Sequence, residues 1–437
     1  MTSPVVSGSA AEAFVGAFDR LMSETTVPEM VQSARRAAFE RFAALGFPTR
    51  KNEDWHFTSV SPIAEQEFVL LAAESGDVRR DELTRFTFGA TGWSTVVFVN
   101  GRFAPELSDC GALPAGVEVQ DLASAWDTVP VVDRVGTIAD STNQSFTALN
   151  GAFLHDGAVV QIAKNTEVDT PIHLLFVTDA NAAKGMMHPR NLILVGRHSK
   201  ATIVESYVST VDAMYLTNAV TEVSLAEGAT LRHFKIQREA SRAFHVGTIE
   251  VEQARDSHYM SFSLAMGGAL SRSNIYTRLN GEGSGATLNG LYMIEDEQVS
   301  DHQTQVIHAQ PNTFSRELYK GVLDGRSHGV FNGKVYVHPI AQKTDGKQTN
   351  KTLLLSDTAH VDTKPQLEIF ADDVKCTHGA TIGQIDATAL FYLKSRGIDN
   401  AFARRLLTYA FAADVLETIE VDEIRESLER MSLERFV

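Results

Sequence analysis

Four short units recur along the middle of the chain at a nearly constant step. Ser199-Lys200-Ala201, Glu227-Gly228-Ala229, Arg255-Asp256-Ser257 and Ser284-Gly285-Ala286 follow one another at 28, 28 and 29 residues. Each is a turn followed by a small residue. Between Leu192 and Ile382 lie segments that alternate with period two, such as Ala201-Thr202-Ile203-Val204-Glu205, Thr230-Leu231-Arg232-His233-Phe234 and Leu367-Glu368-Ile369. A strand repeat of this length predicts a β-solenoid or another stacked β array, in which each unit buries its apolar face only against its neighbours. A large β-sandwich with regular hairpins would give a similar strand count.

Helical periodicity brackets this region. Phe14, Phe18, Leu21 and Met22 make one apolar stripe, and Val31, Ala34, Ala38, Phe42 and Leu45 make a second behind Pro28, with Gly46 and Pro48 as the stop signal. The stretch Asn52-Glu53-Asp54-Trp55-His56-Phe57 then reads as a loop whose Trp packs on the helices. Strand character starts near Ser94 and reaches a hairpin-type turn at Asn100-Gly101. After the β region, Asp386 and Asp399 are set to cap two helices and a third follows from Asp422. Helices at the end of a solenoid can cover its open edge or serve as docking surfaces. The expected organisation is therefore an N-terminal helical region over 1–90, a β core over 91–383 and a C-terminal helical region over 384–437.

Composition removes several classes of function. A net charge of −16 gives no general electrostatic reason to bind nucleic acid or an anionic membrane. Only Cys110 and Cys376 occur, so neither a disulfide scaffold nor a four-cysteine metal site can form, and a reducing compartment fits. The sequence offers no 18-residue apolar window and no Lys or Arg before Arg20, which argues for a cytoplasmic protein without a membrane span or a basic leader.

Several catalytic patterns fail on inspection. Gly281-Glu282-Gly283-Ser284-Gly285-Ala286 mimics a dinucleotide fingerprint but runs into the strand-like Thr287-Leu288-Asn289-Gly290, where a helix N-terminus is required. Gly329 to Val335 lacks the spacing and the Ser/Thr of a phosphate loop, and no G-x-S-x-G occurs. His302 and His308 are spaced for neither a helical pair nor, by themselves, a same-face strand pair. A carboxylate-based glycan enzyme on a β-helix is disfavoured because Asp372 and Asp373 would face opposite sides of a strand.

The segment Asp372 to Thr381 is different. As a strand it puts Asp372, Val374, Cys376 and His378 on one face, so that a thiol and an imidazole become neighbours. They could share a metal ion, or His378 could bias Cys376 toward thiolate. Alternatively both are core residues, and burial decides. Zinc and iron–sulfur sites take three or four protein ligands, whereas this segment supplies two, so it is at most half a site completed from elsewhere.

Asn52 to Trp55, Ser315 to Gly321, Phe331 to Val335, Gln348 to Lys351 with Leu353 to Leu355, Asp362 to Ile369, Asp372 to Thr381 and Phe391 to Ile398 together resemble the SufB/SufD family of the SUF iron–sulfur cluster assembly system. The resemblance is dense from about 270 to 415 and sparse over 105–190. With two cysteines the chain is similar to the family's SufD branch, which lacks the cluster-ligating cysteine of the SufB branch. The resemblance implies a mainly β protein with a right-handed parallel β-helix core between helical regions. It implies a non-catalytic scaffold subunit that pairs with a SufB-like paralogue through the β-helix and with a SufC-like ABC ATPase through its C-terminal helices, where Arg404, Arg405 and Tyr409 are candidate contacts. It also implies a transient iron–sulfur cluster or iron shared with the partner at His378, with Cys376 beside it. A flavin in the complex is compatible with this, as is a homodimer when the chain is alone, and none of these groups is expected in the isolated chain.

Overall fold

In the computed structural model of the chain, residues 9–24, 27–71, 77–111, 113–126 and 128–435 are described. Strands account for 40% and helices for 23%, and the core is a parallel β-solenoid of about 8 turns. Two sheets face each other across a narrow lumen. One sheet carries the strands Leu216–Leu225, Phe244–Gln253, Leu270–Leu279, Val299–His308, His328–Val337 and His360–Ile369. The other carries Lys200–Ser209, Thr230–Arg238, His258–Ala265, Gly285–Ile294, Phe314–Leu323, Asp345–Leu354 and Lys375–Gln384. Every solenoid strand pairs in parallel with the strand of the same sheet one coil away, in unbroken register. The turn-and-small-residue units form one corner of the coil. There His198, Asp256 and Asn312 adopt positive φ, as do Gly228 and Gly283. Gly228 is required on two counts, because its φ is +68° and a Cβ would sit 2.4 Å from His198 Nδ1.

Alternation sorts side chains between lumen and outer face. Stacked rings run along the lumen of the early coils, with Phe98 on Phe176 at 4.7 Å and Phe176 on Tyr207 at 4.8 Å. Buried polar residues are also stacked inside. Glu205 accepts from Tyr207 and Thr221 and meets His233 at 3.0 Å, and His302 and His308 both point inward from one strand. Six residues apart is an even number, so those two histidines do share a face, which corrects the expectation for that pair.

The first coil is closed rather than open. Val117–Asp121 and the short strand Arg102–Phe103 after the Asn100-Gly101 turn pair antiparallel with the outermost strands and end both ladders. Two helices, Val129–Arg134 and Ser145–Ala152, interrupt the stretch expected to be strand-like from Ser94 onward. The segment between them is held on the solenoid by Glu222, which accepts from the N–H groups of Gly136, Ile138 and Ala139 and pairs with Arg190 at 2.7 Å, both charges being buried. Helices Ser9–Glu24 and Glu29–Leu45 pack here through Phe14, Phe18, Leu21, Phe42, Phe146 and Phe153. Ala34 and Leu45 of the expected second stripe are exposed, and Arg35 is buried in their place, its Nε donating to the Leu154 carbonyl. The stripe was read from apolarity alone, and a long side chain with a backbone acceptor competes with it.

Asp386 and Asp399 cap Ala387–Ser395 and Asn400–Leu416 as expected. These helices and Asp422–Glu434 do not cover the last coil. Ala412, Val415, Leu416, Ile424 and Leu428 lie on Phe234, Phe262, Leu291 and Val322, on the outer face of the second sheet. That face is apolar and would otherwise be wet, so its burial outweighs the satisfaction of two strand edges that water can solvate. Glu222→Ala is expected to destabilise the chain by about 3–5 kcal/mol in urea denaturation, because it strands Arg190 and three N–H groups; Glu222→Gln should cost less.

Candidate functional site at the open coil

The final strands His360–Ile369 and Lys375–Gln384 each have a ladder partner on one side only. Pro365, which lacks an N–H, lies in the first of them, a placement tolerated at edges. Around this end, large apolar side chains are exposed: Ile369, Phe370, Ile382, Tyr392 and, at 73%, Phe391. Ile369 and Phe370 stand beside the turn that precedes Lys375, and Ile382, Phe391 and Tyr392 at or beyond the far end of the last strand.

Cys376 and His378 lie in the last strand, which starts at Lys375; Asp372 and Asp373 belong to the preceding turn. Register fixes what lies beneath them. Cys376 pairs with Gly346, and Gly346 with Ser315; His378 pairs with Gln348, and Gln348 with Glu317. A Cβ on Gly346 would stand 3.4 Å from both Cys376 Sγ and Ser315 Oγ, so the absent side chain leaves the thiol room on its inner side. Cys376 is half-buried against Val335, Val337 and Val374, whereas His378 is exposed at the mouth of the lumen. Neither residue is sealed in the core, and the two share a strand face as the alternation required.

The electrostatics correct one expectation. Burial, and then the Asp345 carboxylate, push the Cys376 thiol above its ordinary value, only partly opposed by a bond from the Gly346 backbone. In the isolated chain the thiol is therefore protonated, not biased to thiolate. Beneath His378, Gln348 donates to Glu317, which also accepts from Thr304 at 2.6 Å. Desolvation raises the Glu317 carboxyl to about 7 in spite of these bonds. His308 adds bonds to Ser315 and Thr313 at 3.0 and 2.8 Å, and desolvation lowers it to about 4.

Sequence reading missed Ser315, Glu317, Gly346 and Gln348. All but Gly346 fall in stretches that carried the family resemblance, and the register carries Gly346 and Gln348 onto Cys376 and His378 in one coil and Ser315 and Glu317 in two. The candidate helix contacts are placed as follows. Arg404 donates to the Leu355 carbonyl at 3.0 Å, Arg405 lies over Phe402, and Tyr409 is half-buried, its hydroxyl held above the ordinary value by desolvation and the nearby Glu429 and Glu417. Cys110 is distant in sequence and packs against the lumen cluster of the first coils. The Asn52 motif is a short 3-10 turn, with Trp55 stacked on Phe146 and covered by the Arg272 guanidinium at 3.6 Å, while Glu53 reaches Lys364 of the edge strand at 2.8 Å. No helix among the described residues is long and apolar enough to cross a membrane.

Residues 176–411 match the family described as SUF system FeS cluster assembly, SufBD core domain, and residues 16–174 match the SufBD protein N-terminal region. A SufBD family iron–sulfur cluster assembly protein of Synechocystis is 34% identical over 94% of this chain and 92% of its own. The iron–sulfur cluster assembly protein SufD of Escherichia coli is 34% identical over 88% of each chain, and that of Bacillus subtilis is 30% identical over 64% of each.

Glu317 gives a pH signature. Its carboxyl is raised on folding, so its favourable contribution is complete below the ordinary carboxylate value and is lost as pH rises through about 7. Between pH 6 and pH 8 wild-type stability should fall by about 1 kcal/mol more than that of Glu317→Gln. Denaturant midpoints at the two pH values measure this, since the buried histidines titrate alike in both proteins.

Proposed function

This chain belongs to the SufBD family of SUF-system iron–sulfur cluster assembly proteins, and from that premise we propose that it is the non-catalytic scaffold subunit of a cytoplasmic SufB–SufC–SufD type complex. One observation carries the reading. The solenoid is closed at its first coil and open at its last, and the open coil presents a thiol and an imidazole beside two unpaired strand edges, with exposed apolar side chains toward either end. A SufB-like paralogue with an edge of its own would extend the ladders and bury those side chains.

Within such an interface this chain contributes at most two donors to the nascent cluster, its substrate, and the partner supplies the others. His378 is the principal one. Its ring is exposed and can bind iron through a neutral nitrogen. Cys376 is held as a thiol and becomes a ligand only if iron or a partner cation displaces its proton. ATP hydrolysis is assigned to a SufC-like subunit docked on the C-terminal helices. There Arg405 and Tyr409 would face the partner, and Arg404, through its bond to Leu355, would transmit helix movement to the strand Asp345–Leu354 next to the last one.

Co-purification with SufB-like and SufC-like partners, followed by anaerobic reconstitution with iron and sulfide, tests this. His378→Ala should reduce cluster absorbance at least tenfold with the complex intact, and Cys376→Ser should reduce it less. Full cluster yield in His378→Ala would discard the half-site. Phe391→Asp should weaken subunit association with no change in the melting temperature of the isolated chain, because its ring is almost entirely exposed there.

A further inference from the structure

On the outer face of the first sheet, remote from the lumen, three potential ligands converge. His328 opens the strand His328–Val337 and His360 opens the neighbouring strand His360–Ile369, and the two are register partners. Their rings are stacked, with centroids 4.0 Å apart and planes 17° from parallel. Asp362 lies two residues beyond His360, hence on the same face, and its Oδ2 is 2.9 Å from His328 Nε2. One ring nitrogen from each histidine and one carboxylate oxygen all lie within 4.8 Å of one another, the single such group of three among the described residues.

We propose that His328, His360 and Asp362 bind a divalent transition-metal ion of the Zn²⁺ and Fe²⁺ class. The parallel ladder makes the site, because identical positions on adjacent coils are spaced for side-by-side imidazoles and a residue two further on completes a triangle on the same face. A tetrahedral ion with bonds of about 2.0–2.2 Å needs its ligand atoms roughly 3.3 Å apart, which side-chain rotation within the present triangle supplies. The ion would replace the hydrogen bond between His328 Nε2 and Asp362 Oδ2. Two imidazoles and one carboxylate suit this class of ion, whereas Ca²⁺ and Mg²⁺ call for oxygen ligands and Cu⁺ for sulfur. His360 is exposed, so the remaining coordination position opens to solvent.

This site is separate from Cys376 and His378. It sits where the edge strand begins, whereas Cys376 follows the turn at that strand's far end, about 30 Å away at some 3.3 Å per residue. An ion held by both coils would fasten the start of the last strand of this sheet to the strand before it.

Titration of the tag-free chain with Co²⁺, read by visible d–d absorption and by Zn²⁺ displacement, tests the proposal. One equivalent should bind, at least tenfold more weakly in His360→Ala and in the isosteric Asp362→Asn, and with unchanged affinity in the double variant Cys376→Ser/His378→Ala. Zn²⁺ should raise the melting temperature of wild type and not of His360→Ala, and equal melting of the two metal-free proteins verifies that the variant is folded. Absence of saturable one-to-one binding in wild type, or binding that survives His360→Ala and disappears in the double variant, would overturn it.

Discussion

The interaction on which the rest of the structure depends is the in-register parallel ladder between one coil and the next. It satisfies the backbone of each inner coil without help from other elements, and it fixes every side chain at a defined height and face. Because neighbours alone are used, an unsatisfied backbone can exist only at the two ends. Antiparallel strands close one of them. The other stays open while the two final helices, which could have covered it, lie along the outside of a sheet instead. The chemistry-bearing residues collect where the ladder stops.

The lumen is not a uniform apolar filling. Glu205 with His233, and Glu239 with His245 at 2.7 Å, are buried carboxylate–imidazole contacts in successive coils, and Lys235 is buried near both carboxylates, desolvation bringing it to about 8. Replacing such groups by packed hydrocarbons often costs no stability, so their physical contribution is better sought in register. A slip of one residue would turn each of them to the outer face and leave its partner uncompensated. The polar column at the open end, from Ser315 and Glu317 to Cys376 and His378, follows the same logic, but at its last member the partner is missing.

Much of this was legible in the sequence. The 28-residue step marked the solenoid because turn chemistry and small corner residues are local demands. Asp386 and Asp399 were readable as caps for the same reason. Cys376 and His378 could be placed on one face by counting, and the family resemblance pointed to the same strand. What could not be read depends on the third dimension. Gly346 and Gln348 matter only because a coil length separates them from Cys376 and His378. The protonated state of Cys376 follows from burial and from the nearby carboxylate of Asp345 in the neighbouring strand. The seat of the C-terminal helices was missed because their apolar faces fit an outer sheet surface that alternation alone does not distinguish from a wet one. Arg35 was missed because its acceptor, the Leu154 carbonyl, is 119 residues away.

One consequence follows from the last coil having a neighbour on one side. In a nearest-neighbour array each inner unit is stabilised by two interfaces and a terminal unit by one, so free energies of local opening should fall toward the open end. The last strand is thus the part of the solenoid that exchanges its amide protons soonest and samples other conformations most often. A partner seated there would supply the second interface and would order the coil as it binds, so that part of its affinity is spent on completing the fold of this chain. Recognition and folding are then one equilibrium at this end and two separate ones everywhere else.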